Sequence, residues 1–256
     1  MRRAALLLIA LLPGLAAAGG DLNPPNPFLE VPGAKLRSAL PLAGDEAVPV
    51  QPFQLQRHPV TNAEFLAFVT AHPRWRRGAV PAALAGEDYL SQWAGPLDPG
   101  AHAPAAQPVT RVSWFAAEAY CDAEHARLPD WYEWELAAAA SPTVRDARAD
   151  PAWRQQILDW YAHPGGKGLA AVEGDSASVY GLHDLHGLVW EWVRDFNSLL
   201  PPGADPEKFC GATALNARQK ENYAVLMRIA LLSSLRAADT GRLLGFRCAR
   251  DGGGAS

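Results

Sequence analysis

The chain has 256 residues, 49% of them hydrophobic, with 23 basic and 27 acidic side chains and a formal net charge of −4 at pH 7. The two signs are interspersed and form no basic stripe, which excludes the electrostatic footprint of a nucleic-acid binder. The length suits one large domain with a real core, or two small ones.

In chain order, Arg2 and Arg3 are followed by an apolar run, Ala4 to Leu12, and by Ala16-Ala17-Ala18 before Gly19. This three-part layout is that of a secretory signal peptide over residues 1–18, so the expected location is periplasmic or secreted. The apolar run is far shorter than the ~20 residues that span a bilayer, so no stable membrane anchor is expected after cleavage. Residues 19–49 are rich in proline and glycine and weakly periodic, and are expected to form an extended arm around a domain over residues 50–250. Residues 251–256, with Gly252-Gly253-Gly254, are expected to be a loose tail.

Three amphipathic helices carry start signals. Thr61 with Glu64 makes a capping box ahead of Phe65, Phe68 and Val69 on one face. Ser113 is an N-cap for a helix with Ala116, Ala119, Tyr120 and Ala123 at helical spacing, which sets Cys121 beside the buried stripe. Pro129 and Asp130, with Glu133, start a third whose Trp131, Trp134 and Ala138 point inward. A late stretch, Gln219 to Arg236, repeats apolar residues at 3-4 spacing and predicts a further helix. Short apolar runs at Pro108 to Trp114, Leu188 to Val193 and Leu243 to Cys248 read as brief strands. The sum is an irregular α+β body. Its nine tryptophans read first as core filling, Trp190 among them; a surface that stacks carbohydrate or bases is the alternative.

Five segments, in order, resemble the sulfatase-modifying-factor (formylglycine-generating enzyme) family: His58 to Phe65, Pro108 to Cys121, Arg127 to Glu135, Gly181 to Trp192, and Leu244 to Cys248. The resemblance covers roughly residues 50 to 250 and implies a fold related to C-type lectins. It implies less about activity, because that fold hosts oxidases, iron-dependent sulfoxide synthases and binding modules that do no chemistry.

The resemblance also implies site residues. The family's oxidases hold Cu(I) between two thiolates separated by four residues, a soft pair suited to that ion. Here Cys210 lies in the matching region as the candidate catalytic and metal-binding thiol, but Leu215 stands five residues onward and Asp205 five residues back. Relatives join the positions of Cys121 and Cys248 in a disulfide, which leaves Cys210 over. Cys210 then reads as a small buried hydrophobe, a metal-binding or reactive thiol, or half of an intermolecular disulfide. His183 and His186, with Asp184 between them and Glu191 following, suggest a metal site of nitrogen and oxygen donors, or simply hydrogen-bonded histidines. The three-histidine set of the iron-using relatives is not found. Relatives bind Ca2+ around the turn before Trp190 through backbone carbonyls, an asparagine and the glutamate. Leu188 replaces the asparagine, so Glu191 either serves a weakened site or pairs with an arginine such as Arg247.

Tyr180 to Trp192 together with Phe209-Cys210-Gly211 look most like an accessory branch of the family encoded near copper nitrite reductases. That implies an accessory or maturation factor for another exported enzyme, with copper or a redox partner in view. The alternatives are a copper-dependent oxidase in which a histidine joins Cys210, and a lectin-like ligand-binding module.

Overall fold

The computed structural model describes residues 25–40, 47–162, 168–200 and 223–253. The expected signal peptide, Cys210 with its neighbours Asp205 and Leu215, and Gln219 to Asn222 lie outside the described residues.

Three helices begin where a side chain takes up the orphan amides of the first turn. In α1 (Asn62–Ala71) Thr61 accepts from the Glu64 amide, and Glu64 accepts from the Thr61 amide at 2.7 Å. Ser113 caps α2 (Trp114–Ala123) by accepting from the Ala116 amide. Asp130 and Glu133 form a second capping box at the head of α3 (Trp131–Ala138). The inward faces are the ones the spacing gives: Phe65, Phe68 and Val69 on α1, Ala116 and Tyr120 on α2, Trp131, Trp134 and Ala138 on α3. Phe65, Phe68, Tyr120 and Phe246 close one aromatic cluster, with touching rings 5.3 to 6.1 Å apart. Such pairs add to the burial of their area. The C-terminal segment is thereby packed against the first two helices.

The strands are short: β1 (Phe28–Val31), β2 (Ala34–Leu36), β3 (Val48–Val50), β4 (Phe53–Gln56), β5 (Trp190–Glu191), β6 (Leu244–Gly245) and β7 (Ala249–Asp251). An antiparallel sheet of order β1-β4-β7 sets Leu55 opposite both Leu29 and Ala249. β2 pairs antiparallel with β3, and β5 pairs parallel with β6. The described ends of the chain therefore meet on β4, in the expected α+β architecture.

Several expectations are corrected. Residues 19–49 are not only an arm: their β1 is a strand of the three-stranded sheet and their β2 is half of a ribbon. Their pairing partners lie up to 28 residues away in register (Phe28 with Gln56), which local periodicity does not display. Pro108 to Trp114 is not a strand; Pro108 makes a single bridge to Thr61, and Arg111 turns the chain with φ +54°. The tail is held at its start, since Gly252 donates its amide to the Pro52 carbonyl at 3.1 Å, and a Cβ there would lie 2.5 Å from that oxygen. Helix α4 (Pro151–Ala162) was not expected; only Ile157 on it is buried, so its apolar stripe is thin. The late helix is α5 (Tyr223–Ser233), inside the expected stretch.

Candidate functional site

Three of the five sequence segments, those holding Trp134, Glu191 and Arg247, converge on one buried carboxylate. Parallel pairing of β5 with β6 brings Glu191 beside Arg247, and both side chains are fully enclosed. The guanidinium donates to Glu191 Oε1 at 2.8 Å from one nitrogen and to both oxygens at 3.1 Å from Nε. The Trp134 indole N–H donates to Glu191 Oε2 at 2.9 Å. Arg247 spends its remaining hydrogens on the carbonyls of Gln56, Arg57 and His183. One ion pair thus ties α3, β5, the end of β4 and the C-terminal segment together. The charges are satisfied on every side, as a buried pair requires. Of the two readings for Glu191, the arginine partner is the one in place.

The histidines face different partners. His183 has Nδ1 3.0 Å from Asp175 Oδ1, while Asp175 Oδ2 accepts the Asp184 amide at 3.0 Å. Burial, and the neighbouring Asp175 carboxylate, raise the Asp184 carboxyl to about 6. His186 has Nε2 2.9 Å from the Ala138 carbonyl, so this nitrogen carries the hydrogen and donates it. Its ring stands edge-on to Trp134 and Trp153, and Nδ1 is enclosed without a hydrogen-bond partner among the described residues. Burial lowers its pKa to about 4, so the ring is neutral at pH 7. Among the described residues no group of three or more histidine, cysteine or carboxylate side chains is placed to hold a metal ion. His183, His186 and Glu191 are thus each engaged with protein groups rather than gathered around one point.

The donor set does not fit the calcium expectation either. Leu188 packs with Val172 and Val189 in a small apolar cluster, so the asparagine position offers no oxygen, and Glu191 is committed to Arg247 and Trp134. For copper, Cys121 and Cys248 form a disulfide with their Cα atoms 5.5 Å apart, across 127 residues of sequence. That leaves Cys210 as the third of the chain's three cysteines.

The tryptophans divide by depth. Trp75, Trp93, Trp131, Trp134 and Trp192 are buried, while Trp114, Trp153, Trp160 and Trp190 are half-buried. Trp190 therefore does not fill the core as expected. It lies against Trp160 and Tyr161 of α4, at 5.6 and 4.9 Å. Between α4 and residues 174–187 runs a cleft of ≈ 760 Å³ lined by Trp153, Ile157, Asp159, Asp175, Ser178 and His186. The α4 wall of this cleft escaped the sequence reading. A signal existed: Pro151 at the first helical position after Asp150, whose carboxylate accepts the Ala152 amide at 2.8 Å.

A short-stranded α+β body, cross-linked from its second helix to the residue before its C-terminal strand and clamped on a Trp-Glu-Trp segment by a C-terminal arginine, defines a class of protein. The chain belongs to the sulfatase-modifying factor enzyme 1-like domain family, whose profile matches residues 11–252. It is 34% identical to the hercynine oxygenase of Mycobacterium tuberculosis, over 57% of this chain and 38% of that protein. It is 29% identical to the inactive C-alpha-formylglycine-generating enzyme 2 of Mus musculus, over 80% of this chain and 77% of that protein. To the formylglycine-generating enzyme of Streptomyces coelicolor it is 30% identical, over 80% of each. The chain thus spans well under half the length of the hercynine oxygenase it matches. The crystal structure of CarF shares the fold at a TM-score of 0.53 and 17% identity, covering 90% of this chain and 99% of that one. Treponema denticola variable protein 1 does so at 0.51 and 14%, covering 89% and 95%.

Proposed function

We propose that this chain is a divergent family member without the two-thiolate copper site, acting as an accessory or maturation factor for another exported enzyme. The observation that carries this reading is the cysteine arithmetic. Two of the three cysteines are joined as Cys121–Cys248, and a lone thiol at Cys210 with Leu215 five residues on has no second sulfur to offer Cu(I). Similarity to a mouse relative whose name describes it as inactive supports use of the fold without that oxidation. A disulfide and the charged, then apolar, then small-residue N-terminus support export to an oxidising compartment. In this role Cys210 is the candidate thiol for a copper or redox partner.

The test is incubation of the full chain with Cu(I), oxygen, reductant and a sulfatase-type cysteine peptide, read by mass spectrometry. The expected result is no formylglycine, with one Cu(I) retained per chain and lost in Cys210→Ala. Turnover that disappears in Cys210→Ala would instead make the chain an oxidase with an altered copper site. A second reading, the ligand-binding module, is supported by the cleft beside α4, whose aromatic, hydroxyl and carboxylate lining suits a polar ligand. Absence of both turnover and bound copper would put it first.

A further inference from the structure

Two core indoles give their N–H to enclosed carboxylates, and the carboxylates differ in what else holds them. On α3, Trp131 donates to Glu135 Oε2 and Trp134 donates to Glu191 Oε2, each at 2.9 Å. Both indoles are fully buried, and the two carboxylates are 1% and 0% exposed. Other indole bonds of the core end on neutral oxygens, Trp93 on the Asn62 side chain and Trp192 on the Val112 carbonyl. A carboxylate bonded to an indole N–H can take the proton as the ring gives up an electron, so that no ring cation forms.

The charges left behind decide which indole is oxidised. A proton passed to Glu191 would leave Arg247, which donates three bonds to it, enclosed with no carboxylate. The Arg228 guanidinium, 3.6 Å from the centre of the Trp134 ring, also opposes positive charge there. At Trp131 the same step removes a buried charge and strands none. Glu135 accepts from the Ser38 hydroxyl at 2.5 Å and the Ala39 amide at 2.7 Å, both neutral donors. The guanidinium paired with it, Arg148 at 3.9 Å, is bonded more closely to Asp146, at 2.7 Å. Burial, the largest influence on it, raises the Glu135 carboxyl above its ordinary value, against those bonds and the Arg148 charge. The Ser38 hydroxyl shares Oε2 with the indole and can turn from donor to acceptor once that oxygen is protonated. Among the described residues no guanidinium lies over the Trp131 ring.

Trp131 is sealed, but rings lead to it. Its ring lies 5.7 Å from that of Trp134, which lies 5.7 Å from His186, which lies 5.4 Å from Trp153. Trp153 is half-buried and lines the cleft beside α4. We propose that Trp131 and Glu135 form a one-electron oxidation site, reached from that cleft through Trp153, His186 and Trp134. A strong one-electron oxidant at the cleft gains the electron that Trp131 loses. The indole proton passes to Glu135 Oε2, leaving a neutral indolyl radical beside a neutral carboxyl. A one-electron reductant reverses the step. The site uses neither Cys210 nor a bound metal, so it stands or falls apart from the copper reading.

The experiment is flash generation of tris(bipyridyl)ruthenium(III), the oxidant, in anaerobic solution with the full chain, followed by transient absorption and electron paramagnetic resonance. The parent is expected to hold a neutral indolyl radical that outlives the oxidant and that forms more slowly in chain fully exchanged into deuterium oxide. Trp131→Phe and Glu135→Gln are each expected to lose that long-lived radical. Trp114→Phe, at a half-buried indole bonded to the Val193 carbonyl outside the ring path, keeps it. Trp153→Phe keeps it but slows its accumulation. Circular dichroism and unfolding midpoints like those of the parent show that the variants are folded. If either core variant unfolds, Trp153→Phe and the isotope comparison on the parent decide. A parent without a long-lived radical, a radical that survives Trp131→Phe or is unaltered in Glu135→Gln, or formation at the parental rate in deuterium oxide or in Trp153→Phe would each overturn the proposal.

Discussion

Arg247 and Arg228 are both closed off from water, at 0% and 1% exposure, one beside a carboxylate and the other beside an indole face. Arg247 meets Glu191 with three donated bonds of 2.8 to 3.1 Å. Arg228, on α5, has its guanidinium carbon 3.6 Å from the centre of the Trp134 ring and 5.9 Å from that of Trp190, and donates to the Glu191 carbonyl at 3.3 Å. Burial, its largest influence, pulls the Arg228 pKa below the usual arginine range. A carboxylate in direct contact fixes one cation; π faces and a carbonyl dipole touch the other, on which Tyr161 and the Glu191 charge act as well. The first kind of centre is rigid because removing either partner strands a charge. The second is adjustable, because a ring face has no charge to strand.

That difference is open to substitution. Arg247→Met leaves the enclosed Glu191 carboxylate without the cation bonded to it, and should cost about 3 to 5 kcal/mol in denaturant unfolding. Adding Glu191→Gln to it should return part of the loss, because the stranded charge is then gone. Trp190→Ala should cost less, about 2 kcal/mol, since a half-buried ring forfeits only part of the ~3 to 5 kcal/mol of a fully enclosed tryptophan. Trp192→Ala, at a fully buried position, sets the upper mark in the same assay. Arg228→Met should be milder again, about 1 to 2 kcal/mol, mostly lost cation–π attraction offset by regained apolar packing. An Arg228→Met loss as large as that of Arg247→Met would show that the two cations are held alike after all.

What was legible in the sequence follows the range of the interactions. The caps of α1, α2 and α3 act over three residues, so Thr61, Ser113 and Asp130 announce them locally. The convergence of Glu191 on Arg247 spans 56 residues and was available only as one of two readings of Glu191. Leu188 was read as a missing oxygen, but its apolar neighbours Val172 and Val189 are a tertiary fact. Both β1 and β2 were hidden because proline and glycine punctuate the segment and because strand pairing is set by a distant partner. Trp190 was misjudged for a related reason. Strand alternation would set Trp190 and Trp192 on one face, but β5 ends at Glu191; Trp192, just past it, is buried in the core, while Trp190 packs against α4, a helix that the local sequence pattern does not announce.

The smallest expected effect concerns His186, which lies beside the Arg228 shelf with its ring 5.7 Å from Trp134. Burial is the main reason its pKa falls to about 4; the Ala138 carbonyl opposes the fall, and the nearby Arg228 and Arg247 charges add to it. The unfolded chain takes up the proton near the ordinary 6.5, whereas the folded chain resists it until about 4. The stability contributed by a neutral His186 is therefore complete above about 6.5 and is lost as pH falls from there toward about 4. Asp184, raised to about 6 by burial, works in the opposite direction, losing its contribution as pH rises through that value. The two are separated by variants rather than by one pH curve. His186→Gln keeps a donor for the Ala138 carbonyl and removes the titration, so its unfolding free energy should fall less than the parent's between pH 6.5 and 4, by on the order of 1 kcal/mol after allowance for the partly open site. Arg228→Met removes one of the cations that hold the ring neutral. It should move the His186 titration toward its ordinary value, seen as an upward shift of the ring-proton midpoint by NMR. A midpoint that does not move would mean that burial and Arg247 suffice to keep His186 neutral, and that the indole-held arginine exerts no charge beyond its own contacts.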